Sequence, residues 1–80
     1  MNDIETRVVR CFSNVFPDVP LSEFPRASTA SLAAWDSVAH VTLLSSIAEE
    51  FNLELEFEDF EELVSYPLIV DYLESKSIER

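Results

Sequence analysis

Apolar residues recur at helical spacing in three stretches of this chain, and each stretch predicts a helix. The first predicted helix covers about residues 2–16, where apolar side chains share one face and Pro17 stops the pattern. These apolar residues are Ile4, Val8, Cys11, Phe12 and Val15. Asn2 and Glu5 have the spacing of a reciprocal capping pair at its start.

A second apolar stripe predicts a helix over about residues 37–51. The stripe consists of Val38, Val41, Leu44, Ile47, Ala48 and Phe51, and Leu43 widens it. Asn52 follows, and asparagine is the best residue after glycine for the left-handed conformation that closes a helix. That property matters here because the chain contains no glycine.

Residues 17–36, between these two helices, contain three prolines and no clean period, which predicts a long loop. Four apolar residues predict that this loop is pinned to the core: Leu21, Phe24, Leu32 and Trp35.

The C-terminal third predicts two further helices. Acidic residues around Phe60 and Leu63 indicate a short third helix. Ser65 can cap a last helix that has Pro67 in its first turn. Its predicted buried face consists of Leu68, Ile69, Tyr72 and Leu73. The predicted fold is all-α, a small four-helix bundle of three longer helices and one short helix, in a single domain over residues 1–80.

Composition narrows the possible functions. A chain of 80 residues buries only about 60% of its unfolded surface, so its core is small and leaves little room for an enclosed active site. One histidine, one cysteine and no glycine do not supply a nucleophile with a positioned base and an oxyanion site. The sequence therefore predicts a protein that is not an enzyme and that holds no metal. The single cysteine, and the lack of a signal or a long apolar run, predict a cytoplasmic protein.

The acidic charge is concentrated in the second half of the chain. The net charge is -11, and residues 38–80 carry eleven acidic residues against two basic ones. Nucleic acids and anionic membranes are disfavoured as partners, because both need basic residues on the protein. A partner with a basic surface is favoured.

Asp36 and Ser37 stand immediately before the second predicted helix, and they allow two interpretations. Both residue types are favoured helix caps, each contributing about 1 kcal/mol. Alternatively, the serine is a chemical attachment point, because a hydroxyl at a loop-to-helix junction is exposed.

The segment WDSVAHVTLLSSIAEEFNLEL resembles the core of the acyl and peptidyl carrier proteins. Asp36-Ser37-Val38 fits the family signature at the head of the second helix, and the late segment Val70–Leu73 also looks like that family. The resemblance implies that a phosphopantetheinyl transferase attaches 4'-phosphopantetheine from coenzyme A to Ser37, with magnesium. Asp36 would present Ser37 to the transferase, or would act only as a cap.

The resemblance also implies the function. A free-standing, monomeric carrier would hold an acyl or aminoacyl group as a thioester on the arm. It would deliver that group to loading and transferring enzymes that have basic docking patches.

Four residues of the second helix are the predicted partner-binding residues: Val38, Val41, Glu49 and Glu50. The two glutamates lie at the helix C-terminus, where negative charge costs roughly 0.3–1 kcal/mol each, so a docking role is favoured over a merely solvated face. Ala39 and Thr42 occupy positions at which fatty-acid carriers have acids, which indicates a specialised biosynthetic pathway. His40 is expected to face solvent, Cys11 to lie in the core and Trp35 to pack the loop.

The alternative function is a non-catalytic acidic helical adaptor that binds basic protein surfaces without the prosthetic arm. Such an adaptor would bind its partners equally well after Ser37→Ala and would gain no mass with coenzyme A.

Overall fold

The computed structural model of the protein describes residues 3–78, and within them it confirms the all-α fold. Four α-helices follow one another: α1 Asp3–Val15, α2 Ser37–Phe51, α3 Phe57–Glu62 and α4 Tyr66–Ile78. The described residues contain no β-strand, only an isolated bridge between Ser28 and Ser65. Asn2, the predicted cap of the first helix, lies outside the described residues.

The connection between α1 and α2 is more ordered than the predicted loop. It contains a 3-10 helix, Leu21–Arg26, which closes with a hydrogen bond from the Ala27 N–H to the Phe24 carbonyl at 3.0 Å. Phe24 is fully buried and fixes this turn to the core, as predicted, whereas the prediction for Leu21 was wrong, because its side chain is 59% exposed. Six residues with a proline among them are too few to show a helical period in sequence.

An aromatic cluster forms the centre of the core. Phe12 of α1 is fully buried, and its ring contacts the rings of Phe24, Trp35 and Tyr66 at centroid distances of 5.3, 5.4 and 5.4 Å. Phe16 completes the cluster at 6.0 Å from Phe12. These contacts join α1, the connection and α4, and they confirm that Trp35 packs the connection onto the bundle. Edge-to-face and tilted pairs of this kind add to the hydrophobic stabilisation.

Helix α2 ends as its sequence predicts. Asn52 adopts the left-handed conformation, with φ 54° and ψ 53°. The Leu53 N–H then donates to the Ala48 carbonyl at 3.0 Å. The Asn52 N–H is shared between the carbonyls of Ala48 and Glu49, so the last turn of the helix is closed.

Ser65 precedes helix α4 and caps it, as predicted: its hydroxyl accepts a hydrogen bond from the Leu68 N–H at 3.3 Å. The buried face of α4 differs in part from the predicted one. Leu68 is 46% exposed and Tyr72 is half-buried, whereas Val70 is buried together with Ile69 and Leu73. The helix therefore faces the core about a quarter of a turn away from the predicted stripe.

Candidate attachment site at the head of helix α2

The first residue of α2 is Ser37, and its side chain is exposed. The cap is Asp36, whose extended backbone precedes the helix and whose Oδ1 accepts a hydrogen bond from the Ala39 N–H at 2.9 Å. Asp36 therefore performs the capping that the sequence left open between the two residues. Among residues 3–78, the Ser37 hydroxyl has no hydrogen-bond partner, so it is free to react with a group from outside.

The electrostatics at this helix end suit a phosphoester. The first N–H groups of a helix have no intrahelical acceptor, and the helix dipole places positive potential there. A phosphate on Ser37 would lie at this N-terminus, and the first turn of α2 contains no acidic residue. The Asp36 carboxylate stands next to it and partly offsets this attraction.

An open groove of about 490 Å3 lies beside the serine, between the end of α1 and the exposed side of α2. Asn14 and Val15 form one wall, and the other includes Asp36, Ala39 and Thr42. The surface next to Ser37 is thus built mainly from small uncharged side chains, with the Asp36 carboxylate at its edge.

The four predicted partner-binding residues fall into different environments. Val38 and Val41 are 77% and 54% exposed, so α2 presents aliphatic side chains to solvent close to Ser37. Glu49 is exposed at the other end of α2. These positions are compatible with docking, which stays a prediction.

Glu50 has a partner within the chain that the sequence pattern does not reveal. Its Oε2 lies 2.8 Å from Nε of Arg7, and the Arg7 guanidinium also stacks 4.2 Å from the centroid of the Phe51 ring. The guanidinium donates a further hydrogen bond to the Glu50 carbonyl, an acceptor at the helix C-terminus. Glu50 therefore has a local stabilising role, and its charge alone does not indicate docking.

The expectation that His40 faces solvent was wrong. Its ring is half-buried: Nδ1 lies 2.9 Å from the Trp35 indole nitrogen, and Nε2 lies 2.6 Å from the Phe60 carbonyl oxygen. The available sequence signal was Trp35 itself, because a buried indole N–H needs an acceptor. Which residue accepts the indole bond depends on how α3 packs beside His40, and the sequence pattern does not give that packing.

Cys11 lies in the core, as predicted, with an exposed fraction of 3%. Burial raises the pKa of its thiol, although a hydrogen bond with Ser46 opposes that shift. A neutral, buried thiol is a poor nucleophile, so Cys11 does not compete with Ser37 as an attachment point.

The described residues give no indication of a metal site or of a membrane-spanning helix. In the part of the chain that the structure describes, no three His, Cys, Asp or Glu side chains are grouped as metal ligands. None of the helices within residues 3–78 combines the length and the apolar character that crossing a membrane requires.

The chain is thus a small helical bundle with a free hydroxyl at the head of its second long helix. Among curated proteins, it is similar to an acyl carrier protein from Buchnera aphidicola subsp. Schizaphis graminum (strain Sg). The two are 29% identical over 77 residues, which cover 96% of this chain and 98% of that protein. No family model matches the chain, and no solved structure matches it. The similarity extends over nearly the whole chain and agrees with the resemblance to carrier proteins that the sequence has at Asp36-Ser37.

Proposed function

We propose that this protein carries acyl or aminoacyl groups on a 4'-phosphopantetheine arm attached to Ser37, and that it is not itself an enzyme. The observation that carries the proposal is the state of Ser37. Its hydroxyl is exposed and has no partner among the described residues, because Asp36 already caps the helix. A serine needed only for capping would use its own oxygen to bind a backbone N–H.

The residues present fit the attached group. The Ser37 oxygen would attack the pantetheine-side phosphorus of the coenzyme A pyrophosphate, the P–O bond within the pyrophosphate would break, and adenosine 3',5'-bisphosphate would leave while a base of the transferase takes the hydroxyl proton. The N-terminus of α2 would stabilise the phosphodiester anion that results. Asp36 uses Oδ1 for its cap, and we infer that Oδ2 helps present the serine to a magnesium-dependent transferase. The thiol at the end of the arm supplies the thioester chemistry, and the tether gives the cargo a high effective concentration at each partner.

The surface around the arm supports delivery to protein partners. Val38 and Val41 offer an exposed aliphatic patch beside Ser37, and Glu49 adds exposed negative charge at the far end of the helix. We propose partners with an apolar contact and a basic docking patch, which are the transferase and the enzymes that load and remove the cargo. The uncharged residues Ala39 and Thr42 in the groove support a specialised biosynthetic pathway, and we propose that the protein is cytoplasmic and monomeric.

The proposal is tested by intact mass after incubation with coenzyme A, magnesium and a broad-specificity phosphopantetheinyl transferase. Wild type should gain one phosphopantetheine, and Ser37→Ala should gain none. Ser45→Ala is the matched control, because Ser45 is an exposed serine of the same helix, and it should gain the group like wild type. A folded wild-type sample that gains no mass with several transferases would contradict the proposal and leave the acidic adaptor as the function.

A further inference from the structure

His40 connects three parts of the molecule that meet beside the attachment site. It lies in the first turn of α2, three residues after Ser37, and its own N–H donates to the Asp36 carbonyl at 2.8 Å. Its ring contacts Trp35 on one side, with centroids 5.9 Å apart, and Phe60 of α3 on the other, at 6.3 Å and nearly perpendicular.

The two hydrogen bonds fix the tautomer of the ring. The Trp35 indole N–H can only donate, so Nδ1 of His40 must be the acceptor at 2.9 Å. The Phe60 carbonyl can only accept, so Nε2 must carry the proton at 2.6 Å. Both bonds therefore exist together only in the neutral imidazole with its proton on Nε2.

The Phe60 carbonyl needs this donor because α3 ends beside it. The N–H four residues on, that of Val64, donates to the Glu62 carbonyl instead, so it does not serve Phe60. His40 supplies a partner to one of the carbonyls that a helix C-terminus leaves open. Helix α3 has only six residues and none of them is buried, so such an attachment has a large share in fixing its position.

The two hydrogen bonds of His40, to Trp35 and to the Phe60 carbonyl, are called the His40 bridge below, and its Trp35 end is rigid. Trp35 is 2% exposed and packs against Phe12 and Phe16 in the aromatic cluster. Because the core holds the indole, the two hydrogen bonds of His40 fix the position of α3 relative to the core and to the first turn of α2. The serine, the exposed valines of α2 and the outer face of α3 are thereby held in one arrangement.

We propose that His40 is a positioning residue: its neutral imidazole ties the Ser37 junction to α3, so that a partner enzyme meets both as one preformed surface. This inference rests on the proposed function, because the partner that reports on it is the transferase that modifies Ser37. Loss of the bridge leaves Ser37 chemically intact and impairs recognition.

Three variants separate the two halves of the bridge. His40→Leu removes both bonds. His40→Asn places a carbonyl near the position of Nδ1, so it keeps the acceptor for Trp35 but is too short to reach Phe60. His40→Gln places an amide near the position of Nε2, so it keeps a donor for the Phe60 carbonyl. Ser45→Ala, exposed on the same helix, is the control.

Two measurements are made on each variant, with folding checked by circular dichroism. The chain has one tryptophan, so the indole N–H gives one NMR signal, and its hydrogen exchange reports on the Trp35 bond. Steady-state kinetics of phosphopantetheinyl transfer report on recognition.

For His40→Leu we expect fast indole exchange and a KM about tenfold higher, with kcat within about twofold of wild type. His40→Asn should restore indole protection but not KM, and His40→Gln should restore KM.

The outcomes distinguish the two proposals. If wild type is modified and folded His40→Leu and His40→Asn have the KM of wild type, the positioning role is overturned while the carrier function stands. If kcat falls and KM does not, His40 acts on the reaction of Ser37 rather than on recognition, which also overturns it. If wild type takes no group, both proposals fall.

Discussion

Two regions that pack against helix α2 are held by different forces. The middle of α2 is buried, through Leu43, Leu44 and Ile47, against a core whose centre is the aromatic cluster around Phe12. Near the head of α2, α3 contributes no fully buried residue: the half-buried Phe60 packs at the edge of the core, and the other attachments are a few polar contacts. The difference indicates that the aromatic cluster carries the stability of the fold, whereas α3 can be adjusted without unfolding the protein.

The polar contacts of α3 are few but specific. Glu56 and Asp59 form a reciprocal capping box at its start, and the Tyr72 hydroxyl donates to Oδ2 of Asp59 at 3.3 Å. His40 binds its end through the Phe60 carbonyl. Each contact contributes about 1 kcal/mol or less in such settings, far less than the burial of an aromatic ring.

The largest expected effect comes from the aromatic cluster. Phe12→Ala removes a fully buried ring with four aromatic neighbours and should lower the free energy of unfolding by about 3–5 kcal/mol. Phe57→Ala, on α3, removes a ring that is 77% exposed and should change it by less than about 0.5 kcal/mol. Urea unfolding followed by Trp35 fluorescence measures both. Equal losses in the two variants would mean that α3 is part of the stabilising core.

Hydrogen exchange should show the same contrast within the wild-type protein. Amides of α3 should exchange about tenfold or more faster than those in the middle of α1 and α4, because a short helix without buried residues opens locally. The comparison is made at one pH by NMR, after correction for intrinsic exchange rates. Protection in α3 that equals the protection in α1 would show that it opens only by global unfolding.

These contrasts also show what the sequence could predict. The bounds of α2 and the left-handed Asn52 follow from local patterns, and the structure agrees with both. The 3-10 helix was missed because its six residues are too short for a period. The partners of His40 and Glu50 were missed because they depend on how elements pack, and Arg7 is 43 residues from Glu50. The exposed serine was predictable because a loop-to-helix junction is a local feature.

A smaller effect should separate the two adjacent glutamates at the end of α2. Glu50→Gln removes the half-buried ion pair with Arg7 and should cost about 0.5–1 kcal/mol of stability. Glu49→Gln removes an exposed negative charge from a helix C-terminus and should stabilise the protein by about 0.3 kcal/mol. Thermal unfolding at low ionic strength checks both. A destabilised Glu49→Gln would show that this charge has a partner of its own.

The smallest effect appears only at alkaline pH. Burial raises the pKa of Cys11 and Tyr66 in the core, and burial followed by the charge of Asp59 raises the pKa of Tyr72 next to α3. The folded protein therefore holds these protons more tightly than the unfolded chain does, so stability is retained at neutral pH and falls above about pH 9. Urea midpoints across that range should decrease, and Cys11→Ala should lessen the first part of the decrease. A midpoint that rises with pH would contradict the stated environments.

The central claim, that Ser37 bears an arm that carries cargo, is tested most directly by loading an acyl group and locating it. The protein is incubated with a phosphopantetheinyl transferase, magnesium and acetyl-coenzyme A, and the peptide that contains Ser37 is analysed by tandem mass spectrometry before and after hydroxylamine. The account predicts acetyl-phosphopantetheine on Ser37, with hydroxylamine removing the acetyl group as expected for a thioester and leaving the arm in place. An unmodified Ser37 peptide, or the group on another residue, would contradict it.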